Sequence, residues 1–71
     1  MANVGVLGGG QLGRMLALAG YPLGCRFHFV EREGDCPAGQ LAPVIAGSYD
    51  DPAVLTRLLD AGPLDAVTYE F

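Results

Sequence analysis

The stretch Val4-Gly5-Val6-Leu7-Gly8-Gly9-Gly10-Gln11-Leu12-Gly13 leaves few folds open. A short apolar run enters a glycine turn, and the turn opens a helix. Gly8, Gly10 and Gly13 keep the spacing G-x-G-x-x-G, with Gly9 inside it. Such a spacing has a physical basis. Its first glycine permits a tight turn, and its second lets a ligand approach the backbone with no Cβ in the way. The third lets the helix lie close to the strand. Unbonded N–H groups at the helix start then favour an anion or a polar oxygen. The motif alone implies a nucleotide- or phosphate-binding α/β domain. The same glycines would also suit strand–helix contact with no ligand at all.

The remaining totals narrow this further. Seventy-one residues make at most one small domain with a modest core. Ala66 to Phe71 reads as a strand with no helix after it, so an incomplete domain belonging to a longer chain is expected. Cys25 and Cys36 are the two cysteines, with no metal spacing and no staple pattern. They read as ordinary reduced thiols. The formal charge is −4, with four arginines and no lysine. No basic patch forms from such a composition, so a nucleic-acid partner is not expected. No basic segment precedes an apolar core and cleavage site, and no apolar run approaches membrane-spanning length. The expectation is a soluble, cytoplasmic protein with no membrane partner.

Along the chain, Val4–Leu7 reads as a strand buried on both faces of a parallel sheet. Helix one starts near Gln11. Leu12, Met15, Leu16 and Ala19 fall at i, i+3, i+4 and i+7 and predict its buried stripe. Arg14 points away from that stripe. Pro22 ends or kinks the helix, and Gly24 suits the exit. Arg26–Val30 is strand two, with Phe27 and Phe29 on one face and His28 and Val30 on the other. A packed or half-exposed strand histidine is the simpler reading of His28 than a catalytic one. Glu31 stands twenty-one residues after Gly10. It suits a ribose-binding acid or a solvated strand end. Pro37 opens one helical turn within a short crossover. Val44–Ala46 is strand three. Asp51 and Pro52 are an N-cap and first helical residue of helix two, whose buried side is Leu55, Leu58 and Leu59, flanked by Val54. Capping and solvation explain Asp50 and Asp51 better than a metal pair does. Gly62-Pro63 closes the helix, and strand four begins at Asp65.

The order β-α-β-(short α)-β-α-β predicts a Rossmann-like parallel sheet with helices on both faces. Right-handed crossovers then give the strand order 3-2-1-4. Strands one and four are neighbours where the winding reverses, which is where such sheets bind ligands. That topology brings the Gly8–Leu12 turn beside Glu70. Backbone N–H groups at Gln11 and Leu12 offer donors, Glu70 an acceptor, and the Gln11 amide either. A polar small molecule carrying both kinds of group would fit.

Leu7-Gly8-Gly9-Gly10-Gln11-Leu12-Gly13-Arg14-Met15-Leu16, Ala19-Gly20-Tyr21-Pro22-Leu23-Gly24 and Thr68-Tyr69-Glu70-Phe71 resemble the start of the N5-carboxyaminoimidazole ribonucleotide synthetases. These are the ATPase-subunit type of phosphoribosylaminoimidazole carboxylase, in the ATP-grasp superfamily. Asp35-Cys36-Pro37-Ala38-Gly39 resembles a further family segment, Asp-Ala-Pro-Ala-Gly. Glu31-Arg32 departs from the Asp-Pro usual after strand two. The resemblance implies a pre-ATP-grasp domain of a ligase that joins 5-aminoimidazole ribonucleotide to bicarbonate in de novo purine synthesis. It further implies ATP and Mg2+ as cofactors, bound by later domains, and a homodimeric parent. Gln11, Leu12 and Glu70 are then the substrate-binding positions, beside the loop Gly8, Gly9, Gly10 and Gly13. No catalytic or metal residue is implied on this chain, and the chain alone is expected to be inactive.

Three other readings stay open from sequence. One is an NAD(P)-binding fragment of an oxidoreductase, supported by the glycine spacing and by Glu31. Another is an α/β module that only packs against a partner. A third is the related glycinamide ribonucleotide transformylase, against which Gln11 argues.

Overall fold

The structure is a computed structural model describing residues 2–70. Phe71, expected to close the last strand, lies outside the described residues. Strands β1 (Asn3–Leu7), β2 (Arg26–Glu31), β3 (Val44–Ala46) and β4 (Ala66–Tyr69) form one sheet. All pairings are parallel, and the order is β3-β2-β1-β4, as the alternation of elements predicts. Helix α1 (Gln11–Gly20) and a 3-10 turn at Pro37–Gln40 cover one face, and α2 (Pro52–Asp60) covers the other.

The two faces of β2 sort its side chains. Phe27 and Phe29 enter a cluster with Val6, Ala17 and Ala38, while Val30 joins Val54 and Leu58 on the opposite side. Phe29, Val6 and Val30 are completely buried. Each contributes roughly 1.5–3 kcal/mol through lost apolar exposure. The Phe27 and Phe29 rings stack at 6.2 Å, and Tyr21 meets Phe27 edge-on at 5.5 Å. The Tyr21 hydroxyl donates to the Leu41 carbonyl at 2.7 Å.

Helix α1 presents a different face from the one its apolar pattern predicts. Its buried residues are Gly13, Ala17 and Gly20, while Leu12 is 62% and Met15 58% exposed and Ala19 also faces outward. Of the expected stripe only Leu16 packs against the core. The cause is the pair of phenylalanine rings beneath. A Cβ on Gly13 would stand 2.9 Å from Phe29 Cε1, and one on Gly20 would collide with the Phe27 ring. The helix lies so close to the sheet that only its smallest residues fit the seam. Arg14 is half-buried, and its Nε donates to the Gln40 Oε1 at 3.1 Å. After Gly20 the chain makes a 3-10 turn at Tyr21–Leu23 and leaves through Gly24 at φ 84.

Helix α2 begins as its sequence predicts. The Asp51 carboxylate accepts from the Ala53 N–H at 2.9 Å, and Pro52 is the first helical residue. Its buried side is Val54 and Leu58; Leu55 is half-buried and Leu59 is 64% exposed, so the expected apolar side is rotated here too. Strand β4 is an edge strand, with Val67 and Tyr69 exposed.

Candidate ligand site at the carboxyl edge

Parallel pairing aligns Leu7 with Val30 on one side of β1 and with Tyr69 on the other. The residues after each strand therefore emerge together along one rim. The Glu70 N–H donates to the Leu7 carbonyl at 2.9 Å, which carries the β1–β4 ladder one step past the strand end. Gly8 follows at φ +114, and a Cβ on it would stand 2.8 Å from the Glu70 carbonyl oxygen. Only glycine suits both the backbone angle and the close approach. The turn and the β4 exit are thus in contact at the backbone.

Gly10 is the N-cap of α1, and no side chain caps that end. A Cβ on Gly10 would meet nothing within 4 Å, so the space in front of the helix start is open. Gln11 and Leu12, the first two helical residues, are exposed, and Glu70 is half-buried. The rim therefore carries the backbone of the first helical turn, the Gln11 amide and the Glu70 residue. Gly13 lies behind it, buried against Phe29 and the Gly8 carbonyl oxygen.

Glu31 takes a position that neither sequence-based reading anticipates. Its Oε2 accepts from the Gly9 N–H at 2.7 Å, and its Oε1 accepts from the Arg32 N–H at 3.0 Å and the Tyr49 hydroxyl at 3.2 Å. The Gly9 bond is the main reason the Glu31 carboxyl is held below the usual carboxylate range. Burial opposes the shift, and the Arg32 N–H and Tyr49 hydroxyl add to it. The Tyr49 hydroxyl is raised in turn, first by burial and then by the Glu31 charge. The sequence signal was the pairing itself, since an acid that ends β2 falls beside the turn just after β1.

The other residues considered from sequence lie elsewhere. His28 is half-buried on the α2 face and lines an open cleft of about 280 Å³ with Ile45, Arg57 and Asp60. Asp51 is the α2 cap, and Asp50 accepts from the Ser48 hydroxyl, which holds its carboxyl low. Among the described residues, no group of three or more His, Cys, Asp or Glu is placed to hold a metal ion. No helix among them is long and apolar enough to cross a membrane.

An open, all-parallel α/β sheet with a glycine turn at the point where its winding reverses defines a Rossmann-like domain. The model of the ribonucleotide synthetase preATP-grasp domain matches residues 1–71, and the chain belongs to that family. It is 50% identical over 69 residues to an N5-carboxyaminoimidazole ribonucleotide synthase of Pseudomonas aeruginosa, a match covering 97% of this chain and 19% of the relative. The crystal structure of the N5-carboxyaminoimidazole ribonucleotide synthetase of Thermus thermophilus superposes with a TM-score of 0.88 at 50% identity, over 96% of this chain and 18% of that one. The Staphylococcus aureus synthetase complexed with ADP gives 0.87 at 37% identity, over 99% and 18%. The chain thus spans about a fifth of the length of the relatives it matches. The family is one of ribonucleotide synthetases, which replaces the oxidoreductase reading of the glycine motif.

Proposed function

We propose that these residues are the ribonucleotide-holding part of a longer ATP-dependent ligase, which carboxylates 5-aminoimidazole ribonucleotide with bicarbonate to N5-carboxyaminoimidazole ribonucleotide in de novo purine synthesis. The observation that carries this reading is the backbone contact between Gly8 and Glu70. It sets an uncapped helix start and a carboxylate-bearing residue on one rim, in a family whose relatives are named for that reaction. A phosphorylated ribose suits the N–H groups of Gln11 and Leu12. The substrate amine suits the Glu70 carboxylate, and the Gln11 amide serves either partner.

ATP and Mg2+ would be held by other parts of the longer enzyme. The ADP complex of the Staphylococcus aureus relative supports nucleotide use by such enzymes. This chain's share of the work is to bind and orient the ribonucleotide. The resemblance extends the reading to a homodimeric parent, and a cytoplasmic location belongs to the same proposal. Calorimetric titration with 5-aminoimidazole ribonucleotide tests it. Saturable binding is expected, weakened on the order of tenfold or more in Glu70→Ala, the scale of one lost charge-assisted bond. Equal affinity in the variant leaves a domain that only packs against partners. Robust ATP turnover by the 71 residues alone overturns the division of labour.

A further inference from the structure

The Gly8–Gly9 segment is closed from behind by β2 and the crossover that follows it. The Gly8 N–H donates to the Val30 carbonyl at 2.8 Å, and the Gly9 carbonyl accepts from the Ala38 N–H at 2.9 Å. The Gly9 N–H is taken by Glu31 at 2.7 Å. Both glycines are buried, and a Cβ on Gly9 would stand 2.8 Å from the Cys36 sulfur. One residue later the surroundings change completely, because Gly10 faces open space.

We propose that Glu31 is a specificity-determining residue. Its carboxylate is a built-in anion on the Gly9 donor, so that the turn accepts a single phosphate ahead of Gly10 and rejects a pyrophosphate-bridged dinucleotide. A glycine turn of this spacing ordinarily brings its backbone against a pyrophosphate. Here a second phosphate reaching back toward Gly9 would meet a carboxylate already bonded there. It would have to displace that carboxylate and face its charge at short range, in surroundings partly shielded from water. The Tyr49 hydroxyl and the Arg32 N–H hold the other carboxylate oxygen and keep the group in place. This deepens the proposed function and rests on it for the ligand's identity, by naming the class of nucleotide the same turn refuses.

The experiment follows amide resonances of the isotope-labelled chain during titration with ADP-ribose. In the wild type, the Gly9 amide is expected to be shifted downfield and to stay unmoved as ADP-ribose is added. In Glu31→Ala it should move with the ligand, and ADP-ribose should bind on the order of tenfold tighter or more, the scale of one removed like charge. Glu31→Gln keeps an acceptor for Gly9 without the charge and should fall between the two. A Gly9 amide that follows ADP-ribose in the wild type, or equal binding by wild type and Glu31→Ala, overturns the inference. A parallel titration with 5-aminoimidazole ribonucleotide separates the two claims. Its failure removes the proposed substrate and leaves the ADP-ribose comparison intact.

Discussion

Replacing Gly13 with alanine sets two known effects against each other inside α1. Intrinsic propensity favours alanine over glycine in a helix interior by about 1 kcal/mol. The structure opposes it. The added Cβ would stand 2.9 Å from Phe29 Cε1 and 3.0 Å from the Gly8 carbonyl oxygen. Neither neighbour has room to retreat. Phe29 is completely buried and stacked on Phe27, and Gly8 is tied to Val30 and lies against Glu70. Overfilling a close-packed seam costs roughly 1–3 kcal/mol, and a backbone neighbour puts this site at the upper end. The net expectation is a loss of about 2 kcal/mol. A domain of this size has a total stability of about 4–10 kcal/mol, so the loss is a large share of it. Thermal unfolding followed by circular dichroism should show a fall in Tm of roughly 8–16 °C. Gly10→Ala is the control, since its Cβ meets nothing within 4 Å. It should cost under about 1 kcal/mol, the penalty of alanine at an N-cap. A Gly13→Ala protein as stable as the wild type, or more so, would show that propensity outweighs the seam and that the account of α1 is wrong.

Met15→Gln should change stability by less than about 0.5 kcal/mol, because Met15 faces outward, whereas Leu58→Ala should cost about 2–5 kcal/mol. Urea denaturation checks both, and a large loss at Met15 would restore the helix face expected from hydrophobic spacing. Glu31 gives a pH signature. Its folded-state pKa lies below the unfolded value of 4.5, chiefly through the Gly9 N–H. Its contribution is therefore present above that value and lost as the pH falls through the lower, folded one. Stability measured from about pH 7 down to about pH 3 should fall more steeply in the wild type than in Glu31→Gln. Parallel curves would mean the carboxylate's charge does not matter to the fold.

The strand order was legible from the sequence because each strand and crossover carries its own signal and handedness removes the rival windings. The Asp51-Pro52 start of α2 was legible because its chemistry is local. The buried face of α1 was not. Hydrophobic spacing ranks leucine and methionine as inward-facing, while the rings of Phe27 and Phe29, on a different element, admit only Gly13, Ala17 and Gly20. The bond from Gly9 to Glu31 was not legible for a related reason. The sequence places an acid at the end of β2 but does not say which way it turns, and its bond to Gly9 spans 22 residues. At the candidate site, adjacency of the Gly8 turn and the β4 exit followed from topology alone.

The bond from the Ala38 amide to the Gly9 carbonyl joins two loops that the sheet would otherwise leave independent. A loop fastened at both its amide and its carbonyl cannot hinge by itself. The rim's shape is then governed by the short crossover behind it, and a change around Cys36–Ala38 would be felt at the mouth without touching any residue that faces a ligand.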